Sequence, residues 1–307
     1  MKYVIKRILL LIPVLIGLTL FVFTILALAP GDPAEMILGS DATELEIAAK
    51  RHEMGLDQPL MTRYFKYIGN IVLHGDFGNS WFSGYNVVEE FIKRVPNTII
   101  LGLASMFVSA VVGIPLGIMA AVHQYSVFDY GTLVFAMIFS SVPAFWLGLM
   151  AQVFLCLRLG LLPATGADTP KHFILPTIAL SAQHLAGQVR MTRTSMLEVI
   201  KQDYVRTARA KGCSENRIIY HHVIRNGLLP VITGLGGSFS HLLGGAVIAE
   251  TVFGIPGTGS LMTNAVRMRD VPVVMGNIII QATFIGIINL IVDLLYTVID
   301  PRVKLEG

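Results

Sequence analysis

Apolar residues in this chain come in long unbroken runs, not with the short periods of a soluble protein's helices and strands. The first run goes from Ile8 to about Leu28, and roughly 20 apolar residues are enough to carry a helix across a bilayer. Similar stretches fall at 97–122, 130–157, 228–249 and 273–299. A weaker one, 172–189, is interrupted by Gln183, His184 and Gln188. The pattern predicts an all-α membrane protein with six transmembrane helices. Pro30-Gly31-Asp32-Pro33 stops the first helix. The chain from there to about Pro96 is mostly polar, with Asp41 to Met54 reading as an amphipathic helix. Pro143 falls inside the third run, where a proline kinks a helix and neighbouring helices satisfy the freed carbonyl.

Charge orients these helices. Lys2, Lys6 and Arg7 precede the first run, and Arg206, Arg209, Lys211, Arg217 and Arg225 crowd the polar stretch before the fifth. Basic residues in short loops mark the cytoplasmic side. Both termini are therefore expected inside, the tail held there by Arg302 and Lys304, and the acid-rich 30–96 segment outside. The weak 172–189 run must then cross, since otherwise the basic stretch would face outward. Ala27-Leu28-Ala29 resembles a signal-peptidase site, but the run before it is longer than the 7–15 residues of a signal sequence and reads as a first span.

Composition narrows the function. Hydrophobic residues make up 54% of the chain and charged ones 14%. A net charge of +3 gives no case for nucleic acid, because the basic residues gather at membrane edges. Cys156 and Cys213 fall on opposite sides in this topology, so no disulfide is expected. No phosphate-binding Gly-x-x-x-x-Gly-Lys-Ser/Thr occurs, and Gly257-Thr258-Gly259 lacks the lysine. No His-Glu-x-x-His or Gly-x-Ser-x-Gly occurs either. The chain reads as no enzyme, with no catalytic residue and no cofactor of its own. Polar residues within spans usually face a cavity or a partner helix. Gln152, Gln183, His184, Gln188, Ser238, Ser240, His241, Asn277 and Gln281 are thus candidates to line a path. His184 and His241 lack the carboxylate or cysteine company of a metal site, so no metal is expected.

The stretch Asp203 to Pro230 carries the most specific pattern. Arg206-Thr207-Ala208-Arg209-Ala210-Lys211-Gly212, followed by Arg225-Asn226 and Leu229-Pro230, resembles the cytoplasmic loop of ABC-importer permeases of the peptide/nickel family. Gly55-Leu56-Asp57-Gln58-Pro59-Leu60, Gly75-Asp76-Phe77-Gly78-Asn79-Ser80, Gly254 to Gly259, Met268 to Pro272 and Asp300-Pro301-Arg302 match the same family in the same order. The resemblance implies a type I importer permease fold. Residues 1–94 would form a first helix plus an extracytoplasmic segment, and 95–300 the permease core with its coupling loop at 190–226. It implies a helix at 206–222 docking on a separate ATPase through Arg206, Thr207, Ala208, Arg209, Ala210, Lys211, Gly212, Ser214 and Glu215. It implies a homologous second permease subunit, two ATP-binding subunits holding ATP and Mg, and an extracytoplasmic substrate-binding protein, in a bacterial or archaeal cytoplasmic membrane. Di- and oligopeptides head the implied substrates, with glutathione and nickel or a nickel chelate as alternatives. An ATP-independent secondary transporter is the alternative of another class, disfavoured because no relay of intramembrane carboxylates is present.

Overall fold

The computed structural model describes residues 2–299, and their side chains except at 2, 3, 8, 240–243, 245 and 295–299. The expected Asp-Pro-Arg ending and basic tail lie outside the described residues. Among them the chain is helical, the only strand-like feature being an isolated bridge between Asn79 and Asn86. Three helices are long and apolar enough to cross a membrane: α1 (Lys2–Leu28), α5 (Val87–Val122) and α13 (Val271–Ile299).

The third apolar run is not one helix. α6 (Val127–Ser141) stops at Val142, and α7 (Ala144–Ala151) restarts behind Pro143, the two bent by 88°. Val142 takes an extended conformation, as the residue before proline prefers, and this breaks the helix instead of kinking it. The continuation 152–158 is π-helical.

The described residues divide into two compact units, 2–96 with Ser260–Leu290, and Asn97–Gly259 with 291–299. The first holds α1, α2 (Pro33–Leu38), α3 (Glu44–Glu53) and α4 (Leu60–His74). α2 starts on an Asp32 N-cap, and Arg51 of α3 pairs with the same carboxylate at 3.1 Å. Thr43 and Glu46 form a capping box at the start of α3, which fixes the amphipathic helix at 44–53. Two of the sequence signatures meet here. Asp270 accepts from Ser80 Oγ at 2.5 Å and from the Trp81 N–H at 3.2 Å. Arg269, at positive φ, donates from Nη1 to the carbonyls of Ala29 and Gly31.

The second unit is built around α8 (Ile174–Ile200), on which α6, α7 and α11 (Ile224–Phe253) all pack. α8 is one helix running 11 residues past the expected end of the fourth span, so 190–200 belongs to a helix and not to a loop. Its buried side is rich in small residues, among them Ala179, Ser181, Ala182 and Ala186. Gly113 and Gly117 of α5 press on it: a Cβ at Gly117 would lie 2.8 Å from the Val189 carbonyl oxygen. This is the small-xxx-small contact by which helices pack closely in lipid. Gly227 and Gly234 of α11 sit in the same way against Met196 and Met191. The glycines of the fifth run thus serve in part as a packing face.

Candidate coupling and transport site

The basic stretch folds as a helix, a tight turn and a second helix. α9 (Asp203–Ala210) ends at Gly212, whose φ of +79° is left-handed and favours glycine. The Gly212 N–H bonds to the Arg209 carbonyl at 2.9 Å and the Cys213 N–H to the Ala208 carbonyl at 3.2 Å. These two bonds make a Schellman motif, which satisfies the last carbonyls of α9 and reverses the chain. α10 (Glu215–Ile218) follows and runs through a π-helical stretch (Ile219–Val223) directly into α11. The single helix anticipated at 206–222 is therefore two, hinged at Gly212.

The inner side of this hairpin anchors it. Val205, Ala208, Ile218 and Val223 are buried with Met196 of α8 and Ala121 of α5. Ala208 thus faces the protein's own core, and its side chain contributes anchoring, not docking surface. Arg206, Thr207, Arg209, Ala210, Lys211, Gly212, Ser214 and Glu215 are exposed together on the outer side.

Arg209 makes a two-pronged pair with Glu215 at 2.7 and 3.1 Å, across the Gly212 turn. Its charge is thus used within the hairpin, not held free for a partner's acid. The guanidinium holds the Glu215 carboxyl below the usual carboxylate range, and the carboxylate raises Arg209. The carboxylate's pKa is lowered on folding, so its contribution is complete above the unfolded value of about 4.3 and disappears as pH falls through the depressed one. Hydrogen exchange at Gly212 and Cys213, corrected for intrinsic rate, should be constant from about pH 7 to 5 and quicken below about 4. Glu215→Gln should remove that dependence. The effect is small, since an exposed pair contributes about 0.2–1 kcal/mol.

The residues expected to line a path separate into two groups. Gln152 is buried and donates to the Ala164 and Val252 carbonyls, a structural role tying the 158–171 loop to the core. Ser238 donates to the Gly234 carbonyl of its own helix. Gln188 is buried against Gly113, and its Nε2 has no partner among the described residues. Asn277 is fully buried in the first unit, His184 and Gln281 are half-buried, and the side chains of Ser240 and His241 lie outside the described residues. Of those whose side chains are described, only Gln183 is exposed. It heads an exposed stripe on α8 with Gly187, Arg190, Thr194 and Glu198, spaced 4, 3, 4 and 4 residues apart, that is, one helix face. Reading 190–200 as loop concealed this stripe, although the spacing was present in the sequence.

Two buried polar clusters also escaped the sequence. In the first, Arg193 of α8 donates through Nε and Nη2 to both oxygens of Asp129 at 2.6 and 2.7 Å. In the second, the fully buried Glu250 near the end of α11 accepts from Thr98 Oγ1 at 2.6 Å. That hydroxyl accepts in turn from the Thr258 N–H that opens α12 (Thr258–Met268).

Residues 113–305 match the family described as binding-protein-dependent transport system inner membrane component, and residues 1–102 match its N-terminal companion. The chain belongs to this family. It is an integral membrane permease, not itself catalytic. The permease is 40% identical to the dipeptide transport system permease protein of Alkalihalophilus pseudofirmus, over 99% of both chains. It is 39% identical to the oligopeptide transport system permease protein of Bacillus subtilis, over 98% of this chain and 99% of that one. It is 41% identical to the glutathione transport system permease protein of Salmonella paratyphi A, over 99% of both. Among solved structures, the permease's fold is similar to a chain of the inward-facing MetNI methionine ABC transporter. The TM-score is 0.59 at 16% identity, over 68% of this chain and 96% of that one.

Proposed function

We propose that this permease is one transmembrane subunit of an ATP-driven, binding-protein-dependent importer of di- and oligopeptides. It crosses the cytoplasmic membrane six times with both termini inside. It works beside a homologous second permease, two ATPases that hold ATP and Mg, and an extracytoplasmic binding protein. The full-length similarity to dipeptide and oligopeptide permeases carries the substrate class. The exposed hairpin at 203–218 is the ATPase docking element, and the Gln183–Glu198 stripe of α8 faces the path. Such a polar face costs too much against lipid, where each charged residue at mid-membrane costs about 2.5–3.5 kcal/mol on insertion scales.

Uptake by the whole complex in proteoliposomes, with its binding protein, tests this reading. Labelled dipeptide should enter only with ATP and without competition from nickel. Glutathione is the second substrate to assay, because a glutathione permease is as similar over the full length. Nickel uptake would keep the machinery and change the cargo, whereas uptake without ATP would overturn the importer. Gly212→Trp should insert normally yet lose peptide uptake and substrate-stimulated ATP hydrolysis. A Cβ at Gly212 meets nothing within 4 Å, so the bulk would project outward, and only the left-handed φ would strain the hairpin. Normal uptake by this variant would remove the hairpin from the coupling role.

A further inference from the structure

We infer that α4, within the polar 30–96 segment, is an in-plane membrane helix whose outer arc rests on lipid acyl chains. Its sequence is Leu60-Met-Thr-Arg-Tyr-Phe-Lys-Tyr-Ile-Gly-Asn-Ile-Val-Leu-His74. At 100° per residue, Leu60, Tyr64, Tyr67 and Ile71 share one arc, and Met61, Phe65, Ile68 and Val72 the next, about 60° wide. The first arc is covered by the protein: Tyr64 is buried, and Leu60 and Tyr67 pack at a core formed with Phe23, Val271 and Met275, which Ile68 also reaches from the near edge of the second. The second arc is left open, with Met61, Phe65 and Val72 50%, 67% and 75% exposed. On the opposite side Arg63, Lys66 and Asn70 border a cleft shared with Gln58, Trp81 and Pro272. The apolar face is thus wider than the protein that covers it.

The depth of the helix identifies what covers the rest. α1 is long and apolar enough to cross the membrane. Lys6 and Arg7 hold its start at a polar boundary, so the roughly 20 residues of hydrocarbon run from about Ile8 to about Ala27. Tyr64 Oη lies 2.9 Å from Thr19 Oγ1 and donates to the Ile16 carbonyl at 3.2 Å. Its ring meets Phe23 edge-on with centroids 5.6 Å apart. Thr19 and Phe23 lie about 14 and 8 Å along α1 from Leu28. α4 therefore sits below the membrane surface at the end of α1 marked by Leu28, even allowing for the length of a tyrosine side chain. Basic side chains on one face and aromatic and aliphatic ones on the other are the composition of an interfacial helix. The depth of α4 does not depend on which cellular face that end occupies, nor on the cargo.

Tryptophan quenching in the assembled importer tests it. F65W, V72W and K66W are compared, after subtraction of the parent signal, in vesicles containing phosphatidylcholine brominated on its acyl chains. The added F65W and V72W emission should be quenched at least about twofold more by bromolipid than that of K66W. Aqueous iodide should show the reverse order. Iodide quenching of F65W and V72W would place the arc in water. Protection from both quenchers would place another protein on it. Either outcome overturns the inference while leaving peptide uptake, measured on the same vesicles, as a separate result.

Discussion

Asp129→Ala should destabilise the purified permease by about 3–5 kcal/mol, the cost of stripping one partner from a buried ion pair. Asp129 is fully buried and holds three groups at once. Both its oxygens take Arg193, and Oδ2 also accepts from the Tyr125 N–H at 3.0 Å. Tyr125 has a φ of +64°, a strained turn conformation for a residue with a Cβ, so the carboxylate pins a turn that would otherwise relax. Ser126 completes the arrangement by accepting from the Asp129 N–H at the start of α6. Alanine leaves the Arg193 guanidinium facing a low-dielectric wall and releases the turn. A domain has only about 5–15 kcal/mol in hand, so most of the folded population is at stake. Thermal unfolding in detergent measures it. The double variant Asp129→Leu/Arg193→Met should recover much of the loss, since an apolar replacement for a buried pair is often neutral. A loss under about 1 kcal/mol would mean that water reaches and screens the pair.

The second large effect concerns Glu250. This carboxylate lies against Gly257 and Gly259, so closely that a Cβ at Gly257 would overlap it and one at Gly259 would stand 2.6 Å from Val247 Cα. The Glu250 backbone carbonyl meanwhile accepts from Gly254 and Ile255, and Asn97 Nδ2 donates to the Pro256 carbonyl. The Gly254–Gly259 signature thus wraps one acidic residue: Gly257 and Gly259 lie where the carboxylate and Val247 fill the space of a side chain, and Gly254 turns the chain at a φ of +61°. Gly257→Ala should abolish uptake and lower the yield of folded permease. It has no small adjustment open to it, and overpacking in a rigid site costs at least about 1–3 kcal/mol. Glu250→Gln keeps the shape and an acceptor for Thr98, and should retain far more folded protein than Glu250→Ala. Equal yields from the two would show that the acid's hydrogen bonds do not hold the loop. Normal yield and uptake from Gly257→Ala would show that the loop has slack.

Parts of this molecule were plain in its sequence. α1, α5 and α13 announce themselves because a helix facing lipid must be apolar along its length. The hairpin's position was legible from its charges, and Gly212 from the need for a left-handed residue. α8 was obscure for a physical reason. It buries small residues inward and turns Gln183, Arg190, Thr194 and Glu198 outward, so its average polarity resembles a loop's. The break before Pro143 was visible only as a proline, since the sequence does not say whether packing will straighten or complete the bend. Asp129 and Arg193 stand 64 positions apart, and Ser80 and Asp270 190 apart. Nothing local marks such residues as partners. Glu250 stands just past the fifth apolar run with nothing beside it in sequence to mark it, because its companions, Thr98 and Thr258, come from other elements.

The join between α10 and α11 makes the hairpin one end of a long beam. From Glu215 to Phe253 the backbone is helical without a gap, passing through the π stretch at 219–223. At 1.5 Å per residue this is about 58 Å, far more than a bilayer's hydrocarbon thickness. The beam begins at the salt-bridged turn and ends at the Glu250 clasp. A push on the turn has no loop in which to dissipate. It would arrive at the far end as tilt or rotation, and the beam has give at the π stretch, where each turn holds an extra residue, and at Pro230, which lacks the helix's own hydrogen bond.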